Sequence, residues 1–357
     1  MSGGRDTAGP RWRAPATAAV LCLLLCLVSV AVVGDSADRP AGRRGGDGMA
    51  VLRRAAETSV RLSYQGVRVV SWVDSTGRTE TARLNILHQP GVGTLVSPLH
   101  DTGEGTNLLV GSTPWGRVGK DVLDVLETNF WVRTEGETQI GQRSAVGVVA
   151  QRDNGQVAAR FWTDEHTGLL LRREVYDISG EVAQTSVFES IQFGVDAAAL
   201  AEETRQPDVV SRPWGDELDP QELRQLRDEG WVLPERLLWG FELVEARATG
   251  EGDERITHLT YSDGISVISV FTQRGSLGGA AVTGLRRTEE DGALVHVADE
   301  GGQHQRIWEA DGFVHTVLAD APAGLVADVL HALPPPDRHG FWERVGRGFE
   351  RVGTWLD

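Results

Sequence analysis

Residues 64–73 read Tyr64-Gln65-Gly66-Val67-Arg68-Val69-Val70-Ser71-Trp72-Val73, and after Ser75-Thr76-Gly77 the run 81–88 sets Leu84 and Ile86 against Arg83 and Asn85. β-Branched and aromatic residues at period two, joined by a short glycine turn, predict a β-hairpin. In Tyr64–Val73 both alternation faces carry large apolar side chains, Val67 and Val69 on one, Val70 and Trp72 on the other. Such a sheet is covered on both faces or lines a cavity.

Upstream, Met49, Leu52, Ala56 and Val60 fall near helical spacing and predict a helix over 49–62. Residues 35–48 are a Gly- and Arg-rich flexible linker. Ala14–Val33 is twenty residues without a charge, preceded by Arg5, Arg11 and Arg13. That length suits a membrane anchor, with a cleaved signal peptide ending at Val32-Val33-Gly34 as the alternative. Either way residues 1–34 export the rest, which carries a net charge of -18 after the +2 of the leader is taken from the chain's -16.

Downstream, residues 89–119 are rich in Gly and Pro and suggest short strands, and 120–130 predict a helix with Val122, Val125, Leu126 and Phe130 on one side. Strands over 157–162, 169–176 and 181–193 with turns between them predict an antiparallel meander. Residues 49–196 thus form a first domain and 197–230 a connector, within which Asp219-Pro220 opens a helix. The second domain, 231–336, reads as strands over 241–247, 256–261, 265–273, 294–298 and 313–318 with a helix over 324–333. The fold class is α+β with mostly antiparallel sheet. Residues 337–357 predict an amphipathic helix with Phe341, Val345, Phe349, Val352 and Leu356 on one side, docked on its own domain, a membrane surface or a partner.

Chemistry is hard to find. The two cysteines, Cys22 and Cys26, both lie in the apolar leader, which excludes thiol catalysis and thiolate metal sites elsewhere. Lys120 is the sole lysine, and Gly116–Lys120 lacks phosphate-loop spacing. Asp164-Glu165-His166 sits in a predicted turn with its side chains expected in solvent, and Glu289-Glu290-Asp291 reads as a solvated loop. Fifty-one acidic against 35 basic residues disfavour a nucleic-acid partner. The reading is of a non-enzyme with no cofactor and no metal. Large apolar side chains on first-domain strands stand out instead, Trp72, Trp131, Phe161, Trp162, Leu169, Leu171, Phe188 and Phe193.

Several runs together resemble one family. Tyr64–Val69 followed by Arg83–His88 is similar to the opening of the MucB/RseB regulators of extracytoplasmic sigma factors. Leu126–Phe130, Gly141-Gln142-Arg143, Thr167–Arg172 and Asp177–Gly180 continue the similarity in order, and Tyr261–Phe271 resembles the signature of the family's C-terminal domain. The similarity spans roughly residues 50–335 and looks closest to actinobacterial versions. The Leu-Pro-x-Gly-Phe motif that opens the family's second domain is split here into Leu233-Pro234 and Gly240-Phe241.

The resemblance implies a LolA-like first domain, a curved antiparallel half-barrel plugged by helices, whose concave face admits acyl chains. It implies lipid or lipoprotein contact at Trp72, Leu84, Ile86, Trp131, Phe161 and Leu171. It also implies a C-terminal domain that binds a membrane-spanning anti-sigma factor and releases it when the first domain senses its ligand in envelope stress. Tyr261, Asp263, Gly264 and Ile265, the tightest turn of that domain, are the expected partner surface, with a plain hairpin turn as the other reading. The rival function is a lipid or lipoprotein carrier with no regulatory role.

Overall fold

The computed structural model describes residues 46–337 except 75–76, 100–107, 112–114, 196–209, 213–214, 278–281, 283–284, 291–292 and 301–302. The apolar leader and the C-terminal amphipathic segment lie outside the described residues. Among those described, no helix is long and apolar enough to cross a membrane.

The predicted hairpin is the middle of a ten-stranded sheet. β1 (Tyr64–Val73) pairs antiparallel with β2 (Thr79–Gln89), Gly66 opposite Ile86 and Arg68 opposite Leu84. The chain then steps outward through β3 (Gly93–Pro98) and β4 (Leu108–Gly111). β10 (Val210–Arg212) adds to β4 in parallel, at the edge of an otherwise antiparallel sheet. The helix over Trp115–Asn129, α2, carries the chain to the opposite edge. From there β5 (Trp131–Ile140), β6 (Arg143–Gln151), β7 (Val157–Asp164), β8 (Leu170–Tyr176) and β9 (Val182–Phe193) return strand by strand to pair β9 with β1.

Alternation decides which face is the interior. Along β1, Tyr64, Gly66, Arg68 and Val70 are buried while Gln65, Val67, Val69 and Ser71 are half-buried. The even-numbered side chains face inward, so of the two apolar faces read from sequence one is deep core and the other only partly covered. Gly66 is required here: a Cβ would lie 2.2 Å from the Ser190 carbonyl oxygen, where β9 is pressed close. The helix over Asp47–Arg61, α1, lays Met49, Leu52, Ala55 and Ala56 against Val148, Ala150, Ala159 and Phe161 of the sheet.

The second sheet has eight strands in the order β11-β12-β13-β14-β18-β17-β16-β15. They are β11 (Asp216–Glu217), β12 (Glu242–Thr249), β13 (Ile256–Ser262), β14 (Val267–Arg274), β15 (Arg286–Glu290), β16 (Ala293–Glu300), β17 (Gln303–Ala310) and β18 (Phe313–Asp320). One face packs Leu259, Tyr261, Ile268, Val270 and Val317 under α3 (Pro220–Asp228) and α4 (Ala323–Leu330), through Leu226, Val326 and Val329. The start of α3 is a capping box: Asp219 accepts from the Gln221 and Glu222 amides while Glu222 accepts from the Asp219 amide. β18 is buried along its whole length, the polar His315, Thr316 and Asp320 included.

Three sequence expectations change. β11 and α3, read as connector, belong to the second sheet and its core. The hairpin β5–β6 and strands β15 and β17 had no sequence expectation; β5 and β15 are sheet edges, whose polar side chains hide the period-two signal. Glu289 and Glu290 lie on β15 rather than in a loop. Asp164, expected in solvent, is 2% exposed. It accepts from the Thr167 amide and hydroxyl at 2.8 and 2.9 Å and from Arg143 Nε at 2.5 Å, so turn formation itself draws the carboxylate inside. Glu165 and His166 stay exposed as expected.

Candidate apolar interior and the seam between the sheets

The interior of the first sheet is filled by two apolar groups. Leu84 and Ile86 meet Tyr64, Val70, Val96, Leu169 and Phe188, with Trp72 half-buried at their margin. Phe161 belongs to the neighbouring group under α1 and α2. Leu171 is buried on β8. Trp131 stands apart: it is 44% exposed on edge strand β5, its indole N–H donates to Asp153, and its neighbour Val132 takes the inward position. The fold therefore brings Trp72, Leu84 and Ile86 together, places Phe161 nearby, and turns Trp131 to the other side of the strand.

Two arginines occupy this interior, and the sequence reading passed over both. Arg68 (6% exposed) donates from Nη2 to the Leu170 carbonyl at 3.0 Å and lies 4.0 Å over the Phe188 ring. Arg173 (5% exposed) donates from Nη2 to the Ile265 carbonyl of the second sheet. Burial pulls both guanidinium groups down to about 10, and for Arg68 the like charge of Arg173 adds to it. The signal in the sequence was an Arg at an inward position of an apolar strand.

Of the four residues expected at the partner surface, Asp263, Gly264 and Ile265 meet the first sheet. Asp263, Gly264 and Ile265 form the β13–β14 turn, which is driven against α2 and β8. Ile265, 4% exposed, sits in the same apolar group as Met49, Leu123, Leu126 and Phe161. Gly264 has φ +99 and no room for a side chain, since a Cβ would lie 2.4 Å from the Leu126 Cα. At the end of α2, Asn129 donates to the Gly240 carbonyl at 2.8 Å and the Asp263 carbonyl at 3.0 Å. Tyr261 is wholly buried in the second core, its hydroxyl donating to the Pro234 carbonyl at 2.7 Å. Within this arrangement Tyr261, Asp263 and Ile265 are buried and Gly264 is half-buried.

Two carboxylates lie along the seam. Asp263 accepts from the Ile265 and Ser266 amides at 2.8 and 2.6 Å and has Arg152 and Arg173 nearby, yet burial lifts its pKa to about 6. Asp320, at the end of β18, accepts from the Gln184 side-chain amide of β9 at 2.8 Å. Burial alone raises it to about 8, and its Oδ2 has no hydrogen-bond partner. A crevice of about 20 Å³, room for about one water, lies here between Trp72, Gln184, Asp320 and Pro322. Among the described residues no group of three His, Cys, Asp or Glu is placed to hold a metal ion.

Residues 110–221, from β4 through α2 and the β5–β9 meander to the start of α3, match the family described as the MucB/RseB N-terminal domain. The chain resembles the MucB/RseB family. The matched stretch contains Asn129, Phe161 and Arg173; the hairpin over 64–88 and the turn over 263–265 lie outside it. Among solved structures, the Pseudomonas aeruginosa MucA/MucB complex is similar at 20% identity, covering 82% of this chain and 100% of that chain with a TM-score of 0.46. A crystal structure of MucB in complex with MucA(peri) has 19% identity, the same coverages and a TM-score of 0.46. A LolA superfamily protein from Nitrosomonas europaea has 9% identity, covers 44% of this chain and 97% of that chain, and has a TM-score of 0.22. A search of curated proteins finds no match.

Proposed function

We propose that this chain is an exported regulator of the MucB/RseB kind. It binds the extracytoplasmic part of a membrane-spanning anti-sigma factor, and an apolar ligand in the first-sheet interior releases that partner. The observation that carries the reading is the match of residues 110–221 to the MucB/RseB N-terminal domain. Two features of the fold support the coupling. The strands holding Leu84, Ile86 and Phe161 join β8 and β9 through the sheet order β2-β1-β9-β8-β7, and β8 and β9 both touch the second sheet, through Arg173 and Gln184. A ligand that favours one arrangement of the two sheets thereby changes what the second sheet presents. The leader places the protein outside the cytoplasm, tethered or released.

The test uses the full chain in mild detergent. Bound lipid is extracted for mass spectrometry, and the same protein captures partners from solubilised membranes. Capture of a single-span anti-sigma protein that added lipid displaces supports the proposal. Bound lipid with no such partner points to the carrier reading, and neither lipid nor partner overturns both.

A further inference from the structure

Three adjacent strands, β1, β9 and β8, place Arg68, Ser186 and Arg173 on one inward face. Arg68 is opposite Phe188 and Arg173 is opposite Ser186, two positions along β9, so the arginines flank that strand. All three residues are buried, at 6%, 7% and 5% exposure. Arg68 Nε, Ser186 Oγ and Arg173 Nη1 each lack a hydrogen-bond partner. Buried polar atoms are ordinarily paired, and three such groups on one patch, all able to donate, are a concentrated exception.

Charge makes the exception sharper. Asp263 offsets Arg173, but the electrostatic neighbours of Arg68 are the Tyr64 phenol and Arg173, not a carboxylate. A buried guanidinium is retained when an anion can satisfy it, and arginine forks suit planar or tetrahedral oxyanions. On the Arg68 side the surroundings are apolar: Tyr64, Val70, Leu84 and Ile86 pack beside Phe188.

We propose that Arg68, Ser186 and Arg173 form an oxyanion site inside the first sheet, which takes the carboxylate or phosphate head of an amphiphile whose chain lies along the Leu84 and Ile86 side. The assignment rests on the reading that this interior admits an apolar ligand, and adds that the ligand is anionic and enters head inward. The shared chemistry is an oxyanion, whether borne on a lipid or free.

Titration calorimetry on the full chain in nonionic detergent compares laurate, dodecanol and inorganic phosphate. Laurate is expected to bind at least roughly ten-fold tighter than dodecanol, since hydrogen bonds to a charged group are the strong ones. Arg68→Met should abolish that preference. Ser186→Ala should weaken laurate roughly three- to ten-fold while keeping thermal stability at or above the parent, because its hydroxyl has no partner to lose. This second variant keeps the test decisive if Arg68→Met does not fold. Phosphate that competes with laurate also supports the site and shows that a free oxyanion can fill it. Equal binding of laurate and dodecanol overturns the oxyanion site and leaves the apolar interior standing. Phosphate binding without either chain-bearing probe overturns the apolar reading and leaves the oxyanion site. No binding by any probe overturns both.

Discussion

Gly264 of the second sheet lies against the backbone of Leu126 in α2, so close that a Cβ at 264 would come within 2.4 Å of the Leu126 Cα. The contact joins residues 138 positions apart and fastens one sheet to the other. Gly264→Ala adds a methyl group where there is backbone and places it on a residue at φ +99. The strained conformation alone costs about 1–3 kcal/mol. The expected outcome is a separated seam with both sheets still folded, read as faster hydrogen exchange at Leu126 and Ile265 and a lower melting temperature.

Asn129 bridges two carbonyls of the second sheet, Gly240 and Asp263, with one amide nitrogen. Asn129→Ala should cost about 1–2 kcal/mol. Combined with Gly264→Ala its effect should be less than additive, because both act on the same contact. Full additivity in denaturant titrations would show that the two residues serve separate purposes.

Ile265 belongs by sequence to the second sheet and by packing to the core of the first. Ile265→Ala should weaken the seam by about 2–4 kcal/mol, the range for truncating a buried aliphatic side chain. Hydrogen exchange should rise around Leu123 and Leu126 but not around Val270 and Val317 in the second core. Equal exchange in both places would mean that the sheets unfold as one unit.

Asp263 and Asp320 carry raised pKa values in the folded protein, about 6 and about 8 against an ordinary 3.8. A raised carboxylate retains its proton in the folded state after the unfolded chain has released it, so its contribution is full below about pH 4 and falls as pH rises to the folded pKa. Stability should therefore decline from about pH 4, with Asp263 levelling off near 6 and Asp320 continuing to near 8. Asp320→Asn keeps an oxygen for Gln184 and removes the titrating group. Thermal melts of this variant should show a flatter profile between pH 6 and 8 and a higher melting temperature at pH 8. An unchanged slope across that window counts against Asp320 as the source.

The interior of the first sheet was legible wherever one face of a strand is buried. Leu84 and Ile86 alternate with Arg83 and Asn85, and the structure keeps that parity. The Asp219-Pro220 helix start was legible because a cap is a local interaction among four residues. Strands β5, β15 and β17 were not. On β5, Val132 is buried while Trp131 and Glu135 through Gln139 are exposed, so the strand is defined by its pairing with β6 and not by its side chains. Trp131 misled for a related reason: aromatic content marks a strand without saying which face it occupies. Arg68 and Arg173 read as ordinary polar positions until the register placed them on the buried face.

The sequence by itself determined the local elements and their parity: the hairpin at 64–88, the meander at 157–193, the Asp219 helix cap and the separation into two sheet-rich units. These depend on neighbours a few residues apart, and side-chain periodicity records them. Only the tertiary structure decided the fate of Asp263-Gly264-Ile265. A short polar turn looks the same in sequence whether water or another sheet covers it. What covers this one is Leu126, Asn129 and Arg173, residues about a hundred positions away, and their approach makes an apparent surface turn the buried joint between the two sheets.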